Sequence, residues 1–246
     1  LEVLDPSQKI LAQVDCQHRL GYLMDLDVEL PFMCFIGLTD REEMEVFNII
    51  NSKAKGLSTS LLDFHEAQLT EDLASDRPEI FIALLLRNDS RSPWHHQLDL
   101  GGNGTSGMTR RASLRTMQKA VKRFLKRAGT DKTMRGDEIA PVVLDFWRAV
   151  ASTLSEEWSN RRKHVLTKGV GVYALMDVAA DIYLEAQRGG QTCDVKYFSA
   201  ALADFAVDFD WTNDGPLKGL GGEGGAKEAA SKIRDARRSA QLRLAS

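Results

Sequence analysis

Apolar positions along this chain recur mostly with the three-to-four-residue spacing of helices that bury one face. From Arg110 to Arg127, Leu114, Met117, Val121, Phe124 and Leu125 fall on one side of a helical projection. Glu138 to Trp158 continues with Ile139, Val142, Val143, Phe146, Trp147, Val150 and Leu154. Gly169 to Gln187 carries Val172, Leu175, Met176, Ala179, Ile182 and Tyr183, and Asp194 to Phe209 carries Val195, Phe198, Leu202, Phe205 and Phe209. Long helices without intervening strands predict a helical half, and these stripes read as core with no chemistry of their own. The breaker Trp211 to Pro216 and a glycine-rich stretch then lead into a charged helix from Ala226 to about Leu244.

The first half has a different rhythm. An apolar run from Ile10 to Val14 leads through a polar cluster into a helix-like segment, Leu20 to Leu26. Leu30 to Gly37 reads as a buried strand. Thr39-Asp40-Arg41-Glu42 has the spacing of a capping box and opens a helix with Met44, Phe47 and Ile50 on one side. Leu61 to Arg87 is helical, with an interruption near Asp76-Arg77-Pro78. A turn cluster follows, then a strand from His96 to Leu100, in which the rings of His95 and His96 would diverge and share no metal. The loop from Gly101 to Gly107 lacks the Lys-Ser/Thr ending of a phosphate-binding P-loop. The expected class is α/β (α+β), with one domain over residues 1–108 and a helical one over 109–246.

Composition narrows the classes. A net charge of −3 means that any nucleic-acid contact must come from a local patch. Cys16, Cys34 and Cys193 are far apart and outside CxxC spacing, which points to reduced thiols in a cytoplasm and away from a zinc site. No apolar run approaches the roughly 20 residues of a membrane span, and no secretory leader is visible.

The densest chemistry is Val14-Asp15-Cys16-Gln17-His18-Arg19-Leu20-Gly21, a polar cluster where a strand opens into a helix. Backbone N–H groups at a helix N-terminus hold anions readily. The bland alternative is that Asp15 simply caps the helix, but Asp15, Gln17, His18 and Arg19 together exceed what a cap needs. Asp15 to Arg19 resembles the Asp-Gly-Gln-His-Arg signature of the DGQHR-domain family, relatives of the ParB/sulfiredoxin superfamily found with DNA-modification systems. Cys16 departs from the signature, since the family has Gly there and Cys enters positive φ less readily.

The resemblance covers Ile10 to Leu62 and, more loosely, Ser92 to Leu125. It implies a ParB/sulfiredoxin-like N-terminal domain packed against a mainly helical one, with an N-terminus shorter than the family's. The implied function is a nucleotide-hydrolysing accessory protein, an ATPase or other NTPase, of a bacterial phosphorothioate or 7-deazaguanine system. It would use Mg²⁺ and ATP or another NTP, act with DNA and partner modification enzymes, and could form a homo-oligomer. Asp15, Gln17, His18 and Arg19 would be catalytic, with Asp15 also the metal ligand. Asn48, Asn51 and Lys53 would bind nucleotide, although Asn can equally end a helix and Lys can be mere solvated surface.

A second signal is independent of the resemblance. Eight Lys or Arg residues lie between Arg110 and Arg127, and no acid occurs between Asp99 and Asp131. Arg111, Arg115, Lys119, Lys122 and Lys126 line up opposite the apolar stripe. A merely solvated helix would more often interleave Glu with Lys, so the stripe suits a DNA backbone. Replacing Arg115, Lys119 and Lys122 should then cost little stability. Lys232, Arg234, Arg237 and Arg238 could extend the basic surface. The competing function is a non-enzymatic DNA-binding transcriptional regulator of the same gene cluster.

Overall fold

The computed structural model of the chain describes residues 21, 25–27, 29, 32–52, 58–101 and 111–244. It divides into two compact units, Leu1–Leu57 and Ser58–Ser246. The chain is mostly helical, with a single small parallel sheet of two strands among the described residues.

In the first unit, helix α1 spans Asp40–Ser52. Its capping box forms: the Thr39 N–H donates to Glu42 Oε2 at 2.8 Å, and the Glu42 N–H reaches back to Thr39 Oγ1 at 3.4 Å. The bonds from Thr39 hold the Glu42 carboxyl below its usual range. The strand expected over Leu30 to Gly37 does not form in its described part. Phe32, Met33 and Ile36 are more than four-fifths exposed, and no strand pairs with them among the described residues. Apolarity alone does not make a strand, because a strand also needs a ladder for its backbone donors and acceptors.

The second unit begins with α2 (Thr59–Leu69), capped by Ser58, whose hydroxyl accepts from the Leu61 N–H at 3.2 Å. The short α3 (Leu73–Asp76) and α4 (Pro78–Asn88) follow. The break falls at Arg77, ahead of a proline that sits at the first helical position, where its missing N–H costs nothing. Strands β1 (Leu98–Asp99) and β2 (Ala112–Ser113) pair in parallel, Leu98 opposite Ala112. The strand expected over His96 to Leu100 is therefore only two residues long. His95 and His96 lie in the preceding turn, His96 at φ 53°, with ring centroids 4.0 Å apart. The turn folds back on itself, so the rings meet instead of diverging. Gly101 has φ +74°, and a Cβ there would stand 1.8 Å from Ser58 Oγ, so this close approach requires glycine.

Five further helices follow: α5 (Leu114–Ala128), α6 (Gly136–Thr153), the short α7 (Ser155–Ser159), α8 (Gly169–Arg188) and α9 (Val195–Ala203). A last helix, α10, spans Gly222–Leu244. The single helix expected from Glu138 to Trp158 breaks at Leu154, whose φ and ψ of −112° and 53° are not helical. The segment expected as helix to Phe209 stops at Ala203, although Phe205 and Phe209 still turn inward. α5 packs on α8, α9 on α6, α10 on α8, and α4 on both α5 and α6.

Every apolar residue named for these helices from the periodicity belongs to one core or is packed against it. Trp94 anchors that core, meeting Trp147 edge-on at 5.0 Å and Trp158 at 5.1 Å. Such edge-to-face pairs contribute about 0.5–1.5 kcal/mol beyond their burial.

Candidate polyanion-binding site

Asp15, Cys16, Gln17, His18, Arg19 and Lys53 lie outside the described residues. Asn48 is half-buried on α1, and Asn51 lies in the last turn of that helix. Among the described residues, no group of three His, Cys, Asp or Glu side chains could hold a metal ion. No helix among them is long and apolar enough to cross a membrane.

The basic stripe of α5 is described in full and divides in two. The helix is tightly bounded. The Ser113 hydroxyl accepts from the Thr116 N–H at 3.0 Å, and Gly129 closes the end at φ 70° with its N–H on the Leu125 and Lys126 carbonyls. Its apolar face is fully buried: Leu114, Met117, Val121 and Phe124 have no exposed surface. That fixes the rotation of the helix and leaves Lys119, Lys122 and Lys126 exposed on the far side. None of the three has an ion-pair partner among the described residues.

The two arginines of the stripe work inward. Arg111 precedes the helix and sits over the Trp158 ring at 4.8 Å, donating to the Trp158 carbonyl. Burial, and then Arg161, lowers its pKa. Arg115 donates from Nη1 to Asp63 Oδ1 at 2.6 Å and to Gln118 Oε1 at 3.2 Å. The Asp63 side chain is only 5% exposed, and its other oxygen has no hydrogen-bond partner among the described residues. Burial outweighs the Arg115 charge and raises the Asp63 carboxyl above its ordinary value. The expectation that Arg115 can be replaced cheaply is therefore corrected, because it compensates a buried carboxylate on α2.

On the flank of α5, Arg123 donates through Nε to Asp177 at 3.2 Å and through Nη2 to the other carboxylate oxygen. One turn on, Arg127 Nε meets Asp181 Oδ1 at 2.5 Å. From the other side of α8, Arg234 reaches the second oxygen of Asp181 at 2.6 Å, and Arg237 clamps Glu185 with bonds of 2.7 and 2.5 Å. Both series of pairs ascend together, so α5, α8 and α10 run parallel along this surface. Asp177, Asp181 and Glu185 were not singled out in the sequence. Their signal was a four-residue spacing of acids on a helix otherwise read as core.

Where these three helices meet, Arg127, Arg188, Arg234, Arg237 and Arg238 line an open cleft of about 360 Å³. Asp181 and Glu185 are the only acidic lining residues among the described ones, which leaves a surplus of positive charge. Of the residues expected to extend the basic surface, Arg234 and Arg237 pair with Asp181 and Glu185, Arg238 lines the cleft, and Lys232 pairs with Glu228 within its own helix at 3.6 Å.

Compared with known proteins, the chain matches no protein family, no curated protein and no solved structure. The resemblance of Asp15 to Arg19 to the DGQHR signature accordingly rests on those residues and the segment around them.

Proposed function

We propose that this protein is a DNA-binding component of a bacterial DNA-modification system, laying the outer ridge of α5 along a phosphate backbone. The observation that carries this reading is the exposure of Lys119, Lys122 and Lys126, with no acid partner among the described residues, on a helix whose opposite face is locked in the core. Lysines presented as free charges on a rigid element supply affinity without reading bases, because phosphate contacts position a duplex and base contacts specify it. The test is a salt titration of duplex binding for the wild type and for the triple variant Lys119→Gln, Lys122→Gln, Lys126→Gln. The log–log slope should fall by roughly 0.9 for each lysine that contacts a phosphate, with an unchanged melting temperature. Equal affinity and equal slope in the two proteins would sink the reading.

The signature at residues 15–19 supports an added activity: Mg²⁺-dependent hydrolysis of ATP or another NTP by a ParB/sulfiredoxin-like domain that includes α1. Asp15 would hold the metal ion, Gln17, His18 and Arg19 would position and neutralise the phosphates, and Asn48, Asn51 and Lys53 would grip the nucleotide. Phosphoryl transfer needs chiefly such positioning and charge neutralisation. Arg19→Ala should abolish phosphate release, since removing one preorganised charge contact typically costs about 10²–10³ in rate. A folded variant with undiminished turnover would refute it.

A further inference from the structure

The cleft where α5, α8 and α10 meet is lined by none of the three ridge lysines, and its arginines are of two kinds. Arg127, Arg234 and Arg237 are held in place by the carboxylates of Asp181 and Glu185. Arg188 and Arg238 line the same cleft and have no ion-pair or hydrogen-bond partner among the described residues. A set of arginines that only stapled α5 and α10 to α8 would need the first three and not the last two.

Charge decides between the readings. Among the described residues, five guanidinium groups and two carboxylates leave a surplus of three positive charges in about 360 Å³. The C-terminal ends of α5 and α8 lie nearby and bring about −0.5 elementary charge each. That offsets one positive charge and leaves roughly two. Like charges gathered this closely repel, and the repulsion is relieved by a multiply charged anion. Arginine suits one particularly well, because its planar fork meets phosphate oxygens two at a time. Arg234 even retains one buried nitrogen with no acceptor among the described residues. A cleft of about 360 Å³ favours a compact ligand, in contrast to the extended ridge of α5.

The geometry points to an oligophosphate-binding site in this cleft, with Arg188 and Arg238 as its ligand-seeking arms and Arg127, Arg234 and Arg237 as its fixed wall. The ligand is a di- or triphosphate group, either free or as the tail of a nucleotide.

The experiment is calorimetric titration of the full chain with inorganic pyrophosphate, tripolyphosphate and ATP at low salt. It compares the wild type, Arg188→Gln/Arg238→Gln, and the triple lysine variant used for the duplex test. Pyrophosphate should bind the wild type and the lysine variant alike. It should bind the double arginine variant at least about tenfold more weakly, the loss expected when charge-assisted bonds are removed. Equal affinity for tripolyphosphate and ATP would identify the free anion as sufficient, and tighter binding of ATP with the same arginine dependence would identify a nucleotide tail. No binding at millimolar pyrophosphate, or equal binding by the double arginine variant, overturns the site. Equal loss in the lysine variant also overturns it, since the attraction would then be diffuse. Both substituted arginines are exposed and unpaired among the described residues, so the variant should fold. Arg238→Gln alone serves as the second variant, with a smaller loss in the same direction. Failure of the duplex test with pyrophosphate binding intact would remove the α5 reading and leave this one standing.

Discussion

Arg115→Gln should destabilise the fold, although the sequence places Arg115 in a solvated stripe. The substitution leaves the Asp63 carboxylate, 5% exposed, without its nearest cation. Breaking a fully buried pair costs about 3–5 kcal/mol. Arg115 is itself 41% exposed, so solvent screening reduces the expected loss to roughly 1–2 kcal/mol. The pH dependence separates this from a simple loss of packing. Burial already raises the Asp63 carboxyl from 3.8, and a carboxyl raised by folding favours the fold most when protonated. Its contribution is full below the unfolded pKa and is lost as pH rises through the folded one. Without Arg115 the folded value climbs further, so melting temperatures measured upward from about pH 4 should fall more steeply in the variant than in the wild type. Identical pH profiles would show that Asp63 does not feel the charge.

The sequence could not have shown this. A helical projection gives the angle of a side chain around its own axis, and Asp63 is 52 positions away. Lys119, Lys122 and Lys126 are exposed where the same projection placed them, and no long-range partner among the described residues claims them.

At the scale of elements, the faces of α5, α6, α8 and α9 were legible because a period near 3.6 repeats over several turns. The run ending at Gly37 misled, since being a strand depends on a partner that apolarity does not reveal. The start of α10 was also placed too late. Glycine is a poor helix former, yet Gly222, Gly224 and Gly225 all lie at its N-terminal end, ahead of the predicted Ala226. The three glycines should respond differently to alanine. A Cβ on Gly224 meets nothing within 4 Å, so Gly224→Ala should stabilise by about 0.5–1 kcal/mol through lower unfolded-state entropy. A Cβ on Gly225 would come within 3.0 Å of the Leu220 carbonyl carbon, and Gly222 has φ +64°, so both of those substitutions should destabilise. Denaturant midpoints for the three single variants are the check, and a common sign would contradict the assigned start of the helix.

At the scale of the whole molecule, the helical content of the second unit was readable, whereas the charge lattice that joins its helices was not. The parallel run of α5, α8 and α10 also has a consequence for how fast the chain folds. Parallel neighbours cannot be joined by a tight turn. The pairs Arg123–Asp177 and Arg234–Asp181 accordingly bridge 54 and 53 positions of sequence. Closing such loops costs entropy before any contact rewards it, so this unit should fold more slowly than an up-and-down bundle of similar length. The pairs should then form late, after the transition state. Arg123→Gln, which strands a carboxylate only 10% exposed, should act on the unfolding limb of the kinetics. A loss of roughly 3 kcal/mol placed there would speed unfolding about a hundredfold and leave refolding nearly unchanged. Stopped-flow refolding that slowed in proportion to the lost stability would instead put the α5–α8 seam in the folding nucleus. In that case the arginine ladder would be where the molecule begins to assemble.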